Sequence, residues 1–288
     1  MLKKNILNKR LALYTPPFTT ITSYMEMVDI AEKYGFQAIE TINAFELSVP
    51  DLEFAKKLRQ HADEKNITFA CVSVGLDLVG EDREEAIQKV KGYADVTKIL
   101  GSSYLHHTIA FEFQDPQIIK DNHDLFYERG IVAVREIYDY AESIGIQALY
   151  EEQGFLFNGV KAFQQFIQDV DRNIGIVADF GNIMFVDEKV EDFMPHFSDR
   201  IMNVHVKDYL VMEEQEREKR PEEYLTYYGN YLKECKLGEG SVDFQNAFEQ
   251  LKKMNYQGYI ALECSPIGEH QQENLEANIQ YLNNCIEK

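Results

Sequence analysis

Apolar positions along the chain alternate between two patterns. Ala86, Val90, Tyr93 and Leu100 recur with helical spacing and share one face, as do Val134, Ile137, Tyr138, Ala141 and Ile144. Helical runs give way to a glycine or asparagine turn and then to a short apolar stretch. "AEKYGFQAIE" (Ala31–Glu40), "TKILGSSYLHH" (Thr97–His107), "AESIGIQALYEE" and "LKKMNYQGYIALE" all have this form. Gly35, Gly101 and Gly145 fall just past the helical residues, where a left-handed C-cap favours a residue without Cβ.

The apolar stretches give eight strand candidates, near residues 10–15, 37–41, 67–75, 103–108, 146–151, 174–179, 201–206 and 257–263. Strands alternating with helices imply a parallel sheet, and eight such units in one chain predict a (β/α)8 TIM barrel spanning residues 1–288 as a single domain. An open, doubly wound sheet usually carries a glycine-rich turn after its first strand. Here that position reads "YTPPFTT", with two prolines and no glycine. The stretch from Asp208 to Gly240 is too long for a simple strand-to-helix connection. Its tyrosines among charges (Tyr209, Tyr224, Tyr227, Tyr228) suit a lid or a contact between subunits, which leaves a homo-oligomer open, and the alternative is a solvated, charged helical excursion without such a role.

Composition narrows the function. The formal net charge of −20 repels polyphosphate and argues against nucleic acid as a partner. No stretch is long and apolar enough to span a membrane, and the lysines near the N-terminus precede no sustained apolar run, so neither a membrane segment nor a signal peptide is expected. Cys71, Cys235, Cys264 and Cys285 are scattered without a CxxC pair, which fits free thiols in a cytoplasmic protein.

The chemistry concentrates at strand ends, which face one common mouth in a barrel. The fifth strand ends "ALYEEQG" with Glu151 and Glu152, the sixth "GIVADFGN" with Asp179, the seventh "MNVHVKD" with His205, Lys207 and Asp208, and the eighth "YIALECSP" with Glu263. Each has a bland reading alone: a helix cap, a core histidine, a solvated carboxylate. Together, three carboxylates at one mouth repel one another unless a cation intervenes. Two Glu, one Asp and one His make a mixed oxygen and nitrogen site suited to one divalent metal ion, Mn²⁺, Mg²⁺, Co²⁺ or Zn²⁺. Glu152 alternates to the other face or enters the loop. Lys207 shares a face with His205, either to contact substrate or to pair with a mouth carboxylate. His106 and His107 end the fourth strand on opposite faces, so one of them can reach a substrate. Glu40, ending the second strand, reads as structural.

In this order, "ALYEEQG", "ADFGN", "NVHVKD", "LGEGSVDF" and "IALE" resemble the xylose isomerase-like TIM-barrel superfamily, over almost the whole chain. The resemblance implies metal ligands at Glu151, Asp179, His205 and Glu263, with Glu151 and Glu263 doubling as the acid/base pair. It also places Asn182 where ketose 3-epimerases of the group carry a substrate-contacting histidine. The implied activity is isomerisation or epimerisation of a small sugar or keto-sugar, phosphorylated or not, by proton transfer through a metal-stabilised enediolate. An inosose-type dehydratase and a non-catalytic sugar-binding barrel are the alternatives.

Overall fold

The alternation of helix and strand closes on itself. The computed structural model describes residues 10–110, 116–212 and 223–287. Its centre is a closed barrel of β1 (Leu11–Leu13), β2 (Ala38–Thr41), β3 (Thr68–Val74), β4 (Tyr104–His107), β5 (Gln147–Glu151), β6 (Gly175–Asp179), β7 (Ile201–Val206) and β11 (Ile260–Leu262). All neighbours are parallel, and β11 closes the barrel against β1 by pairing Ile260 with Leu11. Around it run α1 (Tyr24–Tyr34), α2 (Leu52–Glu64), α3 (Arg83–Leu100), α4 (Pro116–Ser143), α5 (Val160–Val170), the short α6 (Val190–Phe193), α7 (Phe244–Lys253) and α8 (Gln271–Glu287).

Local chemistry sets the element ends. Ser23 Oγ accepts from the Glu26 amide at the start of α1, and Asp51 Oδ1 accepts from the Glu53 and Phe54 amides at the start of α2. Gly35 ends α1 at φ 76°, in the left-handed region, and its N–H returns to the Ala31 and Glu32 carbonyls. Apolar faces then seat the helices. Phe163, Phe166 and Val170 bury one stripe of α5, where Phe166 packs 4.9 Å from Phe157 and Phe163 lies 5.4 Å from both Phe193 and Phe197. Truncating Phe166 to alanine would cost about 3–5 kcal/mol of stability at such a site.

Strand alternation divides the barrel wall. One interior cluster is built from small residues, Ala12, Ala38, Ala70 and Ala261, and another from Cys71, Leu149 and Val177. Nearer the C-terminal ends of the strands the interior turns polar, with Glu40, Ser73, His106, Glu151, Asp179, Asn203 and His205 all buried. Apolar filling thus forms a floor, and an ionic layer stands above it.

The long stretch after β7 is a sheet rather than a loop. β8 (Asp208–Met212), β9 (Glu223–Leu225) and β10 (Tyr231–Cys235) pair antiparallel in the order β8-β10-β9. Tyr209 anchors it, buried and edge-on to Phe185 at 5.9 Å, while Leu210, Val211, Tyr224 and Tyr228 face solvent. Residues 213–222 of this stretch lie outside the described residues.

Candidate functional site

His205 is the hub of the ionic layer. It stands on β7, between β6 and β11, and is fully buried. Its Nδ1 lies 3.2 Å from Glu151 Oε1, 3.2 Å from Glu263 Oε2 and 3.8 Å from Asp179 Oδ2. One donor atom from each of Glu151, Asp179, His205 and Glu263 falls within 4.8 Å of every other, so the structure brings all four predicted ligands together. On the far side of the ring, Nε2 donates to Glu40 Oε1 at 3.0 Å. Glu40 is itself fixed by Ser73 Oγ at 2.6 Å and Asn203 Nδ2 at 2.9 Å. A carboxylate that holds one imidazole nitrogen aims the other, the arrangement that orients metal-binding histidines. Tyr14, from the end of β1, closes over the ring at 4.6 Å between centroids.

Charge in this layer is tightly matched. Burial works against ionised Glu151, but contacts to His106 and His205 outweigh it and hold the carboxyl well below its ordinary range. Glu40 is likewise lowered against burial by His205. Burial disfavours the His205 imidazolium, yet Glu40, Glu151 and Glu263 raise its pKa well above the usual value. Asp179, unlike the two glutamates, is raised well above its ordinary range, because burial outweighs the attraction of Lys207. Glu263 is held down at about 2, with Lys207 and then His205 overcoming its burial.

Lys207 supplies the internal cation. Its Nζ lies 3.0 Å from Asp179 Oδ2 and 2.9 Å from Glu263 Oε1. The stem passes so close to Gly181 that a Cβ there would meet Lys207 Cγ at 2.6 Å, so this turn needs glycine. The ammonium answers, in part, what compensates the mouth carboxylates; for Glu151 itself the nearest partners are histidines.

The remaining predicted residues divide by face. His106 points inward, with Nε2 3.3 Å from Glu151 Oε2 and its ring edge-on to His205. His107 points outward, between Thr108 O at 2.8 Å and the Tyr150 hydroxyl at 3.0 Å, and the structure does not bring it to the ligand cluster. Burial drops its pKa to about 3. Glu152 is also outward and fully buried, accepting from the Asp179 amide at 2.8 Å. Asn182 follows Asp179, whose Oδ1 accepts from the Gly181 and Asn182 amides, and both amide atoms of the Asn182 side chain are buried without a partner. The sequence reading passed over Tyr14, Ser73 and Asn203 and took Glu40 as structural. Their only signal was a polar residue inside an apolar strand.

The donor set fits a divalent ion. Asp179 Oδ2 and Glu263 Oε2 are buried and accept no well-directed hydrogen bond, although Lys207 Nζ and His205 Nδ1 lie 3.0 Å and 3.2 Å away, so each keeps lone pairs for a metal ion. Three carboxylates and one imidazole match a hard or borderline ion. Access is narrow: Glu151, Asp179, His205 and Lys207 are buried, and Glu263 keeps 21% of its side chain exposed.

A family model described as xylose isomerase-like TIM barrel matches residues 28–285. The chain belongs to that family. It is 21% identical over 247 residues to an inosose dehydratase of Clostridium botulinum, covering 80% of this chain and 78% of that protein. The 3-keto-D-glucoside 4-epimerase of E. coli superposes with a TM-score of 0.74 at 16% identity, over 96% of this chain and 100% of that one. A xylose isomerase-like barrel from Mycobacterium smegmatis in complex with magnesium superposes with a TM-score of 0.67 at 17% identity, over 91% of this chain and 88% of that one. At such identities these structural likenesses speak for the barrel alone. Among the described residues no helix is long and apolar enough to cross a membrane.

Proposed function

We propose that this protein is a cytoplasmic, divalent-metal-dependent isomerase or epimerase of a small keto-sugar. The carrying observation is the pair Glu151 and Glu263, each 3.2 Å from His205 Nδ1 and delivered by strands that have β6 and β7 between them. A metal ion held by Glu151, Asp179, His205 and Glu263 would supply Lewis acidity to a substrate carbonyl. One glutamate then removes the proton from the carbon beside the carbonyl, and the electron pair moves into an enediolate. The other returns a proton, to the opposite face in epimerisation or to the neighbouring carbon in isomerisation. Lys207, His106 and the unpartnered Asn182 amide are the candidates to bind substrate oxygens. Chains that share this barrel include an epimerase and a magnesium complex.

The inosose dehydratase relative favours a second reading, in which the same enediolate expels a β-hydroxyl. Incubation with Mn²⁺ and a ketose panel in D₂O separates the two. Carbon-bound deuterium without loss of water marks an isomerase or epimerase, and a dehydrated dicarbonyl marks a dehydratase. Deuterium uptake into none of the panel, with binding retained, would leave a sugar-binding barrel and sink both.

A further inference from the structure

Barrels that bind phosphorylated substrates commonly hold the phosphate at the loops after the last two strands, on free backbone N–H groups and a helix N-terminus. In this chain that corner is already filled by the protein's own carboxylates. Asp208, the first residue of β8, accepts from the amides of Tyr209, Gly238 and Gly240 at 2.9 Å and of Val242 at 3.2 Å. Glu234 on β10 accepts from the Ser265 amide at 2.5 Å, just past Glu263. The amides that would cradle an anion are therefore spent.

Side-chain charge points the same way. The connections that follow β1, β2, β3, β4, β5 and β11 at the mouth contain no lysine or arginine, while Glu46, Asp77, Glu81 and Glu269 lie in them. Lys207 is committed to Asp179 and Glu263. Of the other described cations on that side, Lys236 pairs with Glu239 at 2.8 Å, Arg83 with Glu84 at 3.3 Å, Lys120 lies over the Tyr227 ring at 4.2 Å, and Arg129 donates to the Val79 carbonyl, while Lys161 and Lys189 stand exposed at the starts of α5 and α6. Lys207 and His205 are already paired with carboxylates, the Tyr14 ring closes over His205, and the amide of Asn182, three residues past Asp179, is buried without a partner.

We infer that the site takes uncharged polyhydroxylated carbonyl compounds and rejects their phosphorylated and carboxylated counterparts. This rests on the sugar-converting reading above and sharpens it to one substrate class. An anionic substituent at the corner after β7 and β11 meets carboxylates, and the described amides there are already taken by Asp208 and Glu234, so they do not offset its desolvation.

The test uses the full chain loaded with Mg²⁺, at low ionic strength where electrostatic discrimination is largest. Matched pairs are compared by calorimetric titration: a neutral ketose or alditol against its phosphate ester and against the corresponding sugar acid. The neutral member of each pair should bind at least tenfold more tightly. Equal or tighter binding of the charged member overturns the inference, and so does a panel in which no neutral member binds. Deuterium exchange on the ketose pairs is scored separately. Neutral preference without any exchange counts against the isomerase reading and leaves the charge preference standing.

Discussion

Two adjacent residues at the end of β5, and two at the end of β4, separate the inner and outer faces of the barrel mouth. Inside, Glu151 meets His106 and His205 and is held ionised. Outside, Glu152 is equally buried, meets no cation, and is pushed well above the ordinary carboxylate range by burial and by its neighbours Glu151 and Asp179. His106 and His107 repeat the division: His106 touches Glu151, and His107 is held neutral against Tyr150. Burial is common to all four. What differs is the partner. The inner face matches opposite charges and can bind an ion or move a proton, whereas the outer face keeps its titratable groups uncharged so that they can pack.

The hardest test of this division is exchange of the two glutamates. Glu151→Gln should lower turnover by about 10²–10⁴-fold, the usual contribution of general acid or base catalysis, and Glu263→Gln should do the same. Glu152→Gln should stay within about threefold of the parent, because glutamine preserves the neutral acceptor. Equal losses in Glu151→Gln and Glu152→Gln, measured as deuterium incorporation rates, would erase the distinction.

Metal affinity comes next. Asp179→Asn or His205→Ala should abolish stoichiometric Mn²⁺ in elemental analysis after dialysis. Glu40→Gln keeps an acceptor beside His205 Nε2 but not its charge, and should weaken binding by about 10–100-fold. Unchanged metal content in these variants would mean that the inner face serves packing alone.

Ion uptake should also displace protons. The raised pKa of His205 means that a ligand nitrogen is protonated before the ion arrives. Affinity should therefore fall as pH falls, by about tenfold per unit for each proton displaced. Titration in buffers of different ionisation enthalpy reads the proton count, and a count of zero would contradict the assignment of His205 Nδ1 as a ligand.

The smallest effects belong to the outer face. His107 has a folded pKa of about 3, below its unfolded value of about 6.5, so its contribution is present above pH ~6.5 and lost as pH falls towards 3. His107→Gln should flatten that acid limb in Tm measurements between pH 7 and 4.5. Glu152 has the opposite sign: its raised pKa gives stability below an unfolded value of about 4.3 that is lost as pH rises. Glu152→Gln should raise Tm at pH 8 by about 2–4 °C.

Much of this was legible in the sequence. Eight strand candidates and glycine caps such as Gly35 and Gly101 led to the closed barrel, because period and turn chemistry are local properties. Glu151, Asp179, His205 and Glu263 lie together as expected, because strand ends converge on one mouth. Depth was not legible. Glu40 and Asn203 sit only 3.0 Å and 3.3 Å from the His205 ring, yet nothing local tells whether a polar residue in so short a strand faces inward. The face of His106 against His107 depends on register with β3 and β5, which is a property of the closed barrel. The stretch after β7 concealed its sheet because "DYLVM" and "YLKEC" pair across a highly charged intervening segment.

Lys207 has a consequence for the order of assembly. Its ammonium already lies between Asp179 and Glu263, so these two mouth carboxylates can be gathered without waiting for an external cation. The newly made chain can close its barrel first, and the proposed ion would load afterwards. A chelator should then strip the protein without unfolding it, and a different divalent ion should refill the folded apoprotein. The identity of the ion in use would be decided by what the surroundings supply, with the lysine keeping the place in the meantime.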